Sequence, residues 1–256
     1  MKVRDALAVL CAVLIILAAL LLLGRCAATV RQTTVPQTYT IYFPFVPQTQ
    51  FAGHGVAGVP VAELGADWYY VYGWCAPPCV PMDSAEMVGF RGWCADTIML
   101  GNEPELAQWT GRPVIPVENL VAQSFILRAN CPDAYIVALN FSGTPQGLEY
   151  AKEFIARGGE YDTLGFHAYC ESWQDCAAYI DYIKSVFPNT PLCLSEFNSV
   201  YEDLDNWRNL LDAVHIRLAC SAVFLVCWEC EGQDDLFDLQ TPKGTLTPKG
   251  LVFSTR

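Results

Sequence analysis

Eight short apolar runs, separated by stretches long enough for helices, are the feature that most limits what this chain can become. The runs begin at Phe51-Ala-Gly-His-Gly-Val-Ala and Asp67-Trp-Tyr-Tyr-Val-Tyr-Gly-Trp. A third is placed within Ser84 to Gly92, around Glu86-Met-Val-Gly-Phe, with Pro81-Met82 as an alternative core of the same strand. Four more are Asp96 to Leu100, Ala134 to Asn140, Asp162 to Tyr169 and Pro191 to Asn198, and the last is Ala222 to Glu229. Between the later runs, Val117 to Ala129, Leu148 to Arg157, Asp175 to Val186 and Asp205 to Cys220 space their apolar residues near 3.6.

Near-continuous apolar strands alternating with helices imply a parallel sheet covered on both faces. Eight of them predict closure into a compact (β/α)8 TIM barrel, with a doubly wound open sheet as the alternative. Against the open sheet, the chain has neither a Gly-x-Gly-x-x-Gly turn after an early strand nor a Gly-Lys-Ser/Thr phosphate loop.

The barrel is assigned to 51–256. Ahead of it, Lys2 and Arg4 precede an unbroken apolar run from Ala6 to Leu23, which marks 1–28 as a signal anchor or a cleaved signal peptide. Basic residues before this run place the N-terminus in the cytoplasm and the remainder outside, with the hydrophobic helix as a membrane contact. The Thr-, Gln- and Pro-rich stretch 29–50 reads as a linker.

Twelve cysteines, ten of them from Cys75 onward, fit disulfides in a chain routed outside the cytoplasm. Cys75/Cys79 and Cys170/Cys176 are spaced to close small loops, and Cys94, Cys131, Cys193, Cys220, Cys227 and Cys230 admit several pairings. Cys75-x3-Cys79 and Cys227-x2-Cys230 resemble metal-ligand pairs, yet neither has the second pair that a zinc site needs, and neither a metal nor an organic cofactor is expected. A net charge of −12 without a basic stripe excludes nucleic acid as a partner.

In a barrel, residues ending strands face the mouth where active sites are built. Asn102-Glu103 ends the fourth run and Ser195-Glu196-Phe197-Asn198 the seventh, which places two carboxylates on different walls of one mouth. Two such carboxylates are the minimum equipment of a glycosidase: one protonates the departing oxygen and the other engages the anomeric carbon. His167 and Tyr169, two apart on the sixth run, point the same way, so that Tyr169 can reach the nucleophilic carboxylate and His167 orient it. Trp228 and Trp74 are candidate sugar platforms, and Asn140 and His54, placed at the ends of the fifth and first runs, are further candidate contacts. His215 lies in a helical stretch and reads as structural.

Gly101-Asn102-Glu103-Pro104, His167-Ala168-Tyr169, Ser195-Glu196-Phe197 and Trp228 together resemble the retaining (β/α)8 glycoside hydrolases of clan A. With Trp68-Tyr-Tyr-Val-Tyr and Val80-Pro-Met added, their order is similar to glycoside hydrolase family 128, the catalytic cores related to the fungal alkali-sensitive-linkage protein, whose members cut β-1,3-glucan. Family members usually carry Thr-Glu-Phe or Thr-Glu-Trp where this chain has Ser-Glu-Phe. The resemblance implies Glu103 as acid/base, Glu196 as nucleophile and Asn102 as a contact to the substrate 2-hydroxyl. It makes the expected activity retaining, endo-acting hydrolysis of a β-linked polysaccharide, with β-1,3-glucan favoured. The alternative is a catalytically silent barrel that binds polysaccharide at a cell surface.

Overall fold

The computed structural model describes residues 53–58, 60, 62–72, 79–83, 94–106, 113–199, 203–224, 238–241 and 243–256. The expected anchor and linker, Trp74, Trp228, Cys75, Cys227, Cys230 and the segment Ser84 to Gly92 lie outside these residues. Among the described residues no helix is long and apolar enough to cross a membrane.

The eight strands are β1 (Gly53–Ala57), β2 (Tyr69–Tyr72), β3 (Cys79–Asp83), β4 (Thr97–Leu100), β5 (Tyr135–Phe141), β6 (Thr163–Cys170), β7 (Leu192–Ser199) and β8 (Cys220–Phe224). Each pairs in parallel with its sequence neighbour, and β1 pairs with β8 from Gly53↔Cys220 to Ala57↔Phe224, so the sheet closes into a barrel. The described helices are α1 (Val117–Asn130), α2 (Pro145–Ala156), α3 (Trp173–Val186), α4 (Leu204–Arg217) and α5 (Pro248–Ser254). Side chains of Thr144, Ser172, Asp203 and Thr247 cap the N-termini of α2 to α5. Each cap satisfies backbone N–H groups left bare by the first turn.

Strand alternation divides the core in two. Ala57, Trp68, Tyr70, Val80, Met99, Val137, Cys193, Cys220 and Ala222 form one buried cluster, which fills the barrel. Their neighbours Val56, Ile98, Leu100, Ile136, Ala138, Leu194 and Val223 join Leu120, Leu148, Ile180, Leu210 and other helical residues in the second cluster, between barrel and helices.

The third strand is at Cys79–Asp83, the alternative core rather than the favoured stretch around Glu86. The proline explains the misreading, because Pro81 donates no ladder hydrogen bond and central strands usually exclude it. Cys170–Cys176 forms a disulfide, and the open pairings resolve as Cys94–Cys131 and Cys193–Cys220.

His54 is a correction. It is the second residue of β1 and so lies at the N-terminal end of the barrel, opposite the mouth. Gly53-His-Gly55 reads as the end of a strand, yet the strand continues, because Gly55 is where the chain accommodates an indole: a Cβ there would sit 2.4 Å from Trp68 Cδ2. The His54 ring stacks on His215 of α4 with centroids 3.4 Å apart, and its Nδ1 lies 3.2 Å from Ser221 Oγ. Burial lowers the pKa of both rings, and burial together with the neighbouring His54 pushes His215 down to about 4.

Both rings are therefore neutral in the fold and bind protons on unfolding, so stability falls as pH drops from about 6.5 toward about 4. We expect His215→Phe to flatten this part of a plot of Tm against pH, measured by thermal unfolding between pH 4 and 7. An unaltered slope would show that the stacked pair does not carry it.

Candidate active site

After β4 the backbone turns through Gly101 (φ 84°), and Glu103 itself adopts φ 45°. Beneath this turn, Asn140 donates from Nδ2 to the Gly101 carbonyl at 2.8 Å, and Glu103 N donates to the Asn140 carbonyl at 3.0 Å. The side chain of Asn140 is completely buried. It holds the turn from below rather than facing a sugar, which corrects its assignment as a substrate contact and leaves its Asn-Phe-Ser sequence inaccessible as a glycosylation acceptor. Asn102 lies beside Glu103, with its side-chain oxygen buried and unbonded within the protein.

The register of the barrel shifts at the level of this turn. Asn140 is an extra residue between Leu139 and Phe141 where β5 meets β6, and Ser195 is an extra residue opposite the step from Phe166 to His167 where β6 meets β7. On β7 the consequence is a change of phase. Cys193 faces the barrel interior, and strict alternation would send Ser195 inward and Glu196 out toward the helices. The bulge at Ser195 turns Glu196 inward instead, and Phe197 then packs in the outer cluster.

His167, 1% exposed, is the register partner of Glu196 and stands between the two carboxylates. Its Nδ1 lies 3.0 Å from Glu103 Oε1. Its Nε2 is 3.2 Å from Glu196 Oε2, an ion-pair contact whose angle falls short of a hydrogen bond. Glu196 also accepts from Tyr169 Oη at 2.5 Å on Oε1 and from Tyr70 Oη at 3.4 Å on Oε2. Burial, the largest influence on His167, pulls its pKa down, but Glu196, Glu103 and Glu105 together outweigh it and the net shift is upward.

Glu103, Glu196, His167 and Tyr169 therefore come together as the sequence suggests. Tyr70 and Glu105 complete the group and were not singled out. Period two from Trp68 would have pointed Tyr70 inward with it. Glu105 carries no such signal: it is buried two residues after Glu103 and accepts from Ser142 N at 2.7 Å, which ties the β4 turn to the loop after β5. Behind β7, buried Lys249 donates to the Ser199 carbonyl at 3.0 Å and to Asn198 Oδ1 at 3.3 Å, securing the strand end beyond Glu196.

The parallel eight-stranded barrel thus carries two carboxylates from different strands at its mouth, the end where barrel active sites are built. By sequence the chain matches no protein-family model and no curated protein. Its structural neighbours include β-1,3-glucanases of glycoside hydrolase family 128. A subgroup IV endo-β-1,3-glucanase from Lentinula edodes superposes with a TM-score of 0.64 at 15% identity, covering 78% of this chain and 98% of that one. A subgroup I endo-β-1,3-glucanase from Amycolatopsis mediterranei, solved in complex with laminaritriose, gives 0.62 at 18% identity over 80% and 99% of the two chains. A subgroup VI exo-β-1,3-glucanase from Aureobasidium namibiae gives 0.61 at 16% identity over 79% and 96%. At these identities the likeness establishes the shared barrel.

Because the folded pKa of His167 lies above the unfolded value of 6.5, the stability it contributes is complete below pH 6.5 and is lost as pH rises through the folded value. We expect His167→Gln to remove an alkaline decline in unfolding free energy above pH 6.5, measured by denaturant titration across pH 6 to 9. Identical declines in both proteins would refute a charged His167.

Proposed function

We propose that this chain is a retaining β-glycosidase acting on β-1,3-glucan, with Glu103 as general acid/base and Glu196 as nucleophile. The observation that carries the reading is the single buried imidazole touching both carboxylates, with two tyrosine hydroxyls directed at Glu196. Retention follows the resemblance to clan A barrels, and it expects the two carboxyl groups to stand roughly 5–5.5 Å apart.

In this reading Glu196 attacks the anomeric carbon as Glu103 gives its proton to the departing oxygen, breaking the C–O bond and leaving a glycosyl ester on Glu196. Glu103, now ionised, takes a proton from water as the water's oxygen displaces the ester, and the anomeric configuration is kept. Tyr169 and Tyr70 hold the Glu196 carboxylate in one orientation, which spares the reaction the entropy of arranging it. His167, in contact with both, stands beside whichever of Glu103 and Glu196 carries the negative charge at each step. Asn102, adjacent to the acid/base, is assigned to the substrate 2-hydroxyl.

The choice of β-1,3-glucan and of internal cutting is supported by the names of the neighbouring barrels, two of them endo-acting on that polymer and one exo-acting. Three disulfides among the described residues favour an oxidising compartment outside the cytoplasm, with 1–28 as the anchoring or cleaved segment and 29–50 as its linker. Trp74 and Trp228 are proposed as sugar platforms.

Reducing-sugar release from β-1,3-, β-1,4- and mixed-linkage glucans, xylan and mannan tests the assignment. We expect release from β-1,3-glucan, its loss in Glu196→Ala, and a fall of about 10²–10⁴-fold in Glu103→Ala, the range that a positioned general acid contributes. Proton NMR of the first product should show the β-anomer. An α-anomer would overturn retention, and binding without release from any polymer would favour the silent barrel.

A further inference from the structure

Strand β6 ends on Cys170, the residue after Tyr169, and α3 begins at Trp173, so only Glu171 and Ser172 separate strand from helix. The Cys170–Cys176 disulfide closes this corner across six residues, with Cys176 fully buried in the first turn of α3. Ser172 caps the same turn by accepting from Asp175 N at 3.1 Å, and Trp173 N donates to Asn206 Oδ1 at 2.9 Å. Asn206 in turn donates from Nδ2 to Ser199 Oγ at 3.2 Å, and Ser199 is the register partner of Cys170 at the end of β7. The corner after β6 is therefore bound to the strand that carries Glu196.

A cross-link stabilises a fold chiefly by restricting the unfolded chain, and the gain grows with the length of the loop closed. Cys170–Cys176 closes six residues, against 27 and 37 for the other two described disulfides, so it has the least of the three to give to global stability. What distinguishes it is its place at the mouth, next to a residue of the carboxylate group. Tyr169 Oη donates to Glu196 Oε1 at 2.5 Å, although Tyr169 is 43% exposed. A half-exposed side chain depends on its backbone for placement, and a charge-assisted hydrogen bond of this kind is lost when the donor moves by about an ångström.

We propose that Cys170–Cys176 is a positioning cross-link, which fixes the end of β6 so that the Tyr169 hydroxyl stays on Glu196. The inference rests on the role of nucleophile given above to Glu196. With the cross-link removed, the corner keeps its helix cap and its tie to Asn206, and the strand end gains local freedom. The Tyr169 bond is then made for only part of the time, and Glu196 must be oriented anew for each attack. The loss falls on the chemical step, so kcat drops and KM does not.

The test is a mutant cycle on laminaripentaose hydrolysis: wild type, Cys170→Ala/Cys176→Ala, Tyr169→Phe, and all three substitutions together. We expect the cysteine pair to lower kcat by about tenfold, the scale of one hydrogen bond to a charged group, with KM within about twofold. The triple variant should be no slower than Tyr169→Phe alone. Cys94→Ala/Cys131→Ala serves as the comparison, expected to lower Tm further while leaving kcat unchanged. An unchanged kcat in the Cys170/Cys176 variant would overturn the proposal, as would a loss confined to KM, an equal fractional loss with and without the Tyr169 hydroxyl, or an equal loss in the Cys94/Cys131 variant. Should the alanine pair not fold, Cys170→Val/Cys176→Val refills the buried space and takes its place; failure of both to fold would make the cross-link a stabilising one and overturn its positioning role. Should wild type not hydrolyse the substrate, the catalytic reading fails on its own, and hydrogen exchange decides the cross-link. Faster exchange of the Tyr169 and Cys170 amides in the cysteine variant, with the rest of the barrel unchanged, would keep it as the element that fixes the strand end, and equal exchange would remove it.

Discussion

The site depends on a buried imidazole held between carboxylates. Placing a 1% exposed imidazole in the protein interior disfavours its protonated form, and only nearby negative groups can offset that cost. Here Glu103, Glu105 and Glu196 converge on His167, and their combined field reverses the effect of burial. The dependence is mutual. Both carboxylates in turn have His167 within 3.0 and 3.2 Å, so the ring fixes where each of them sits. Buried ionic groups of this kind are poor stabilisers compared with well-packed apolar residues. The arrangement therefore makes sense as machinery that the rest of the barrel must hold in place.

The means of holding it is visible in the backbone. A regular parallel strand would present Cys193 and Ser195 to the barrel interior and send Glu196 to the helices, so the catalytic candidate exists at the mouth only because the register shifts at Ser195. Asn140 performs the matching function one strand from Glu103: the extra residue in β5 brings its amide under Gly101 and its carbonyl to Glu103 N. Gly165 makes room for it, since a Cβ at that position would lie 2.0 Å from Asn140 Oδ1. Bulges near functional sites re-aim side chains in this way, and here two bulges aim the two walls of one site.

This also explains what could be read from the sequence. The strands buried on both faces, β4 to β7 above all, announce themselves as apolar runs, and their helices by spacing, so the alternation and the barrel are legible. So is the gathering of Glu103, His167, Tyr169 and Glu196, because each closes or nearly closes a run. The phase change at Ser195 is not legible, since the Leu-Cys-Leu-Ser-Glu-Phe run looks the same with or without it. Asn140 reads as a sugar contact for the same reason: a polar residue at the end of a run looks alike whether it faces the mouth or supports it. His54 failed differently, because two flanking glycines resemble a strand end when one of them is there to admit the Trp68 ring.

The two ends of the barrel are thus built to different rules. Leu139, Asn140 and Glu103 all adopt positive φ near the mouth, conformations costing on the order of 1–2 kcal/mol for residues with a side chain. At the opposite end, Cys193–Cys220 joins the starts of β7 and β8 inside the barrel, and Cys94–Cys131 ties the approach to β4 to the end of α1. Cross-links spanning 27 and 37 residues restrict the unfolded chain by an amount on the order of 3–4 kcal/mol each in the chain-entropy account. They lie away from the carboxylates, where the constraint costs the site nothing. Two of the three described cross-links thus sit at the closed end, while the mouth combines Cys170–Cys176 with a strained turn, two bulges and a buried imidazole between carboxylates.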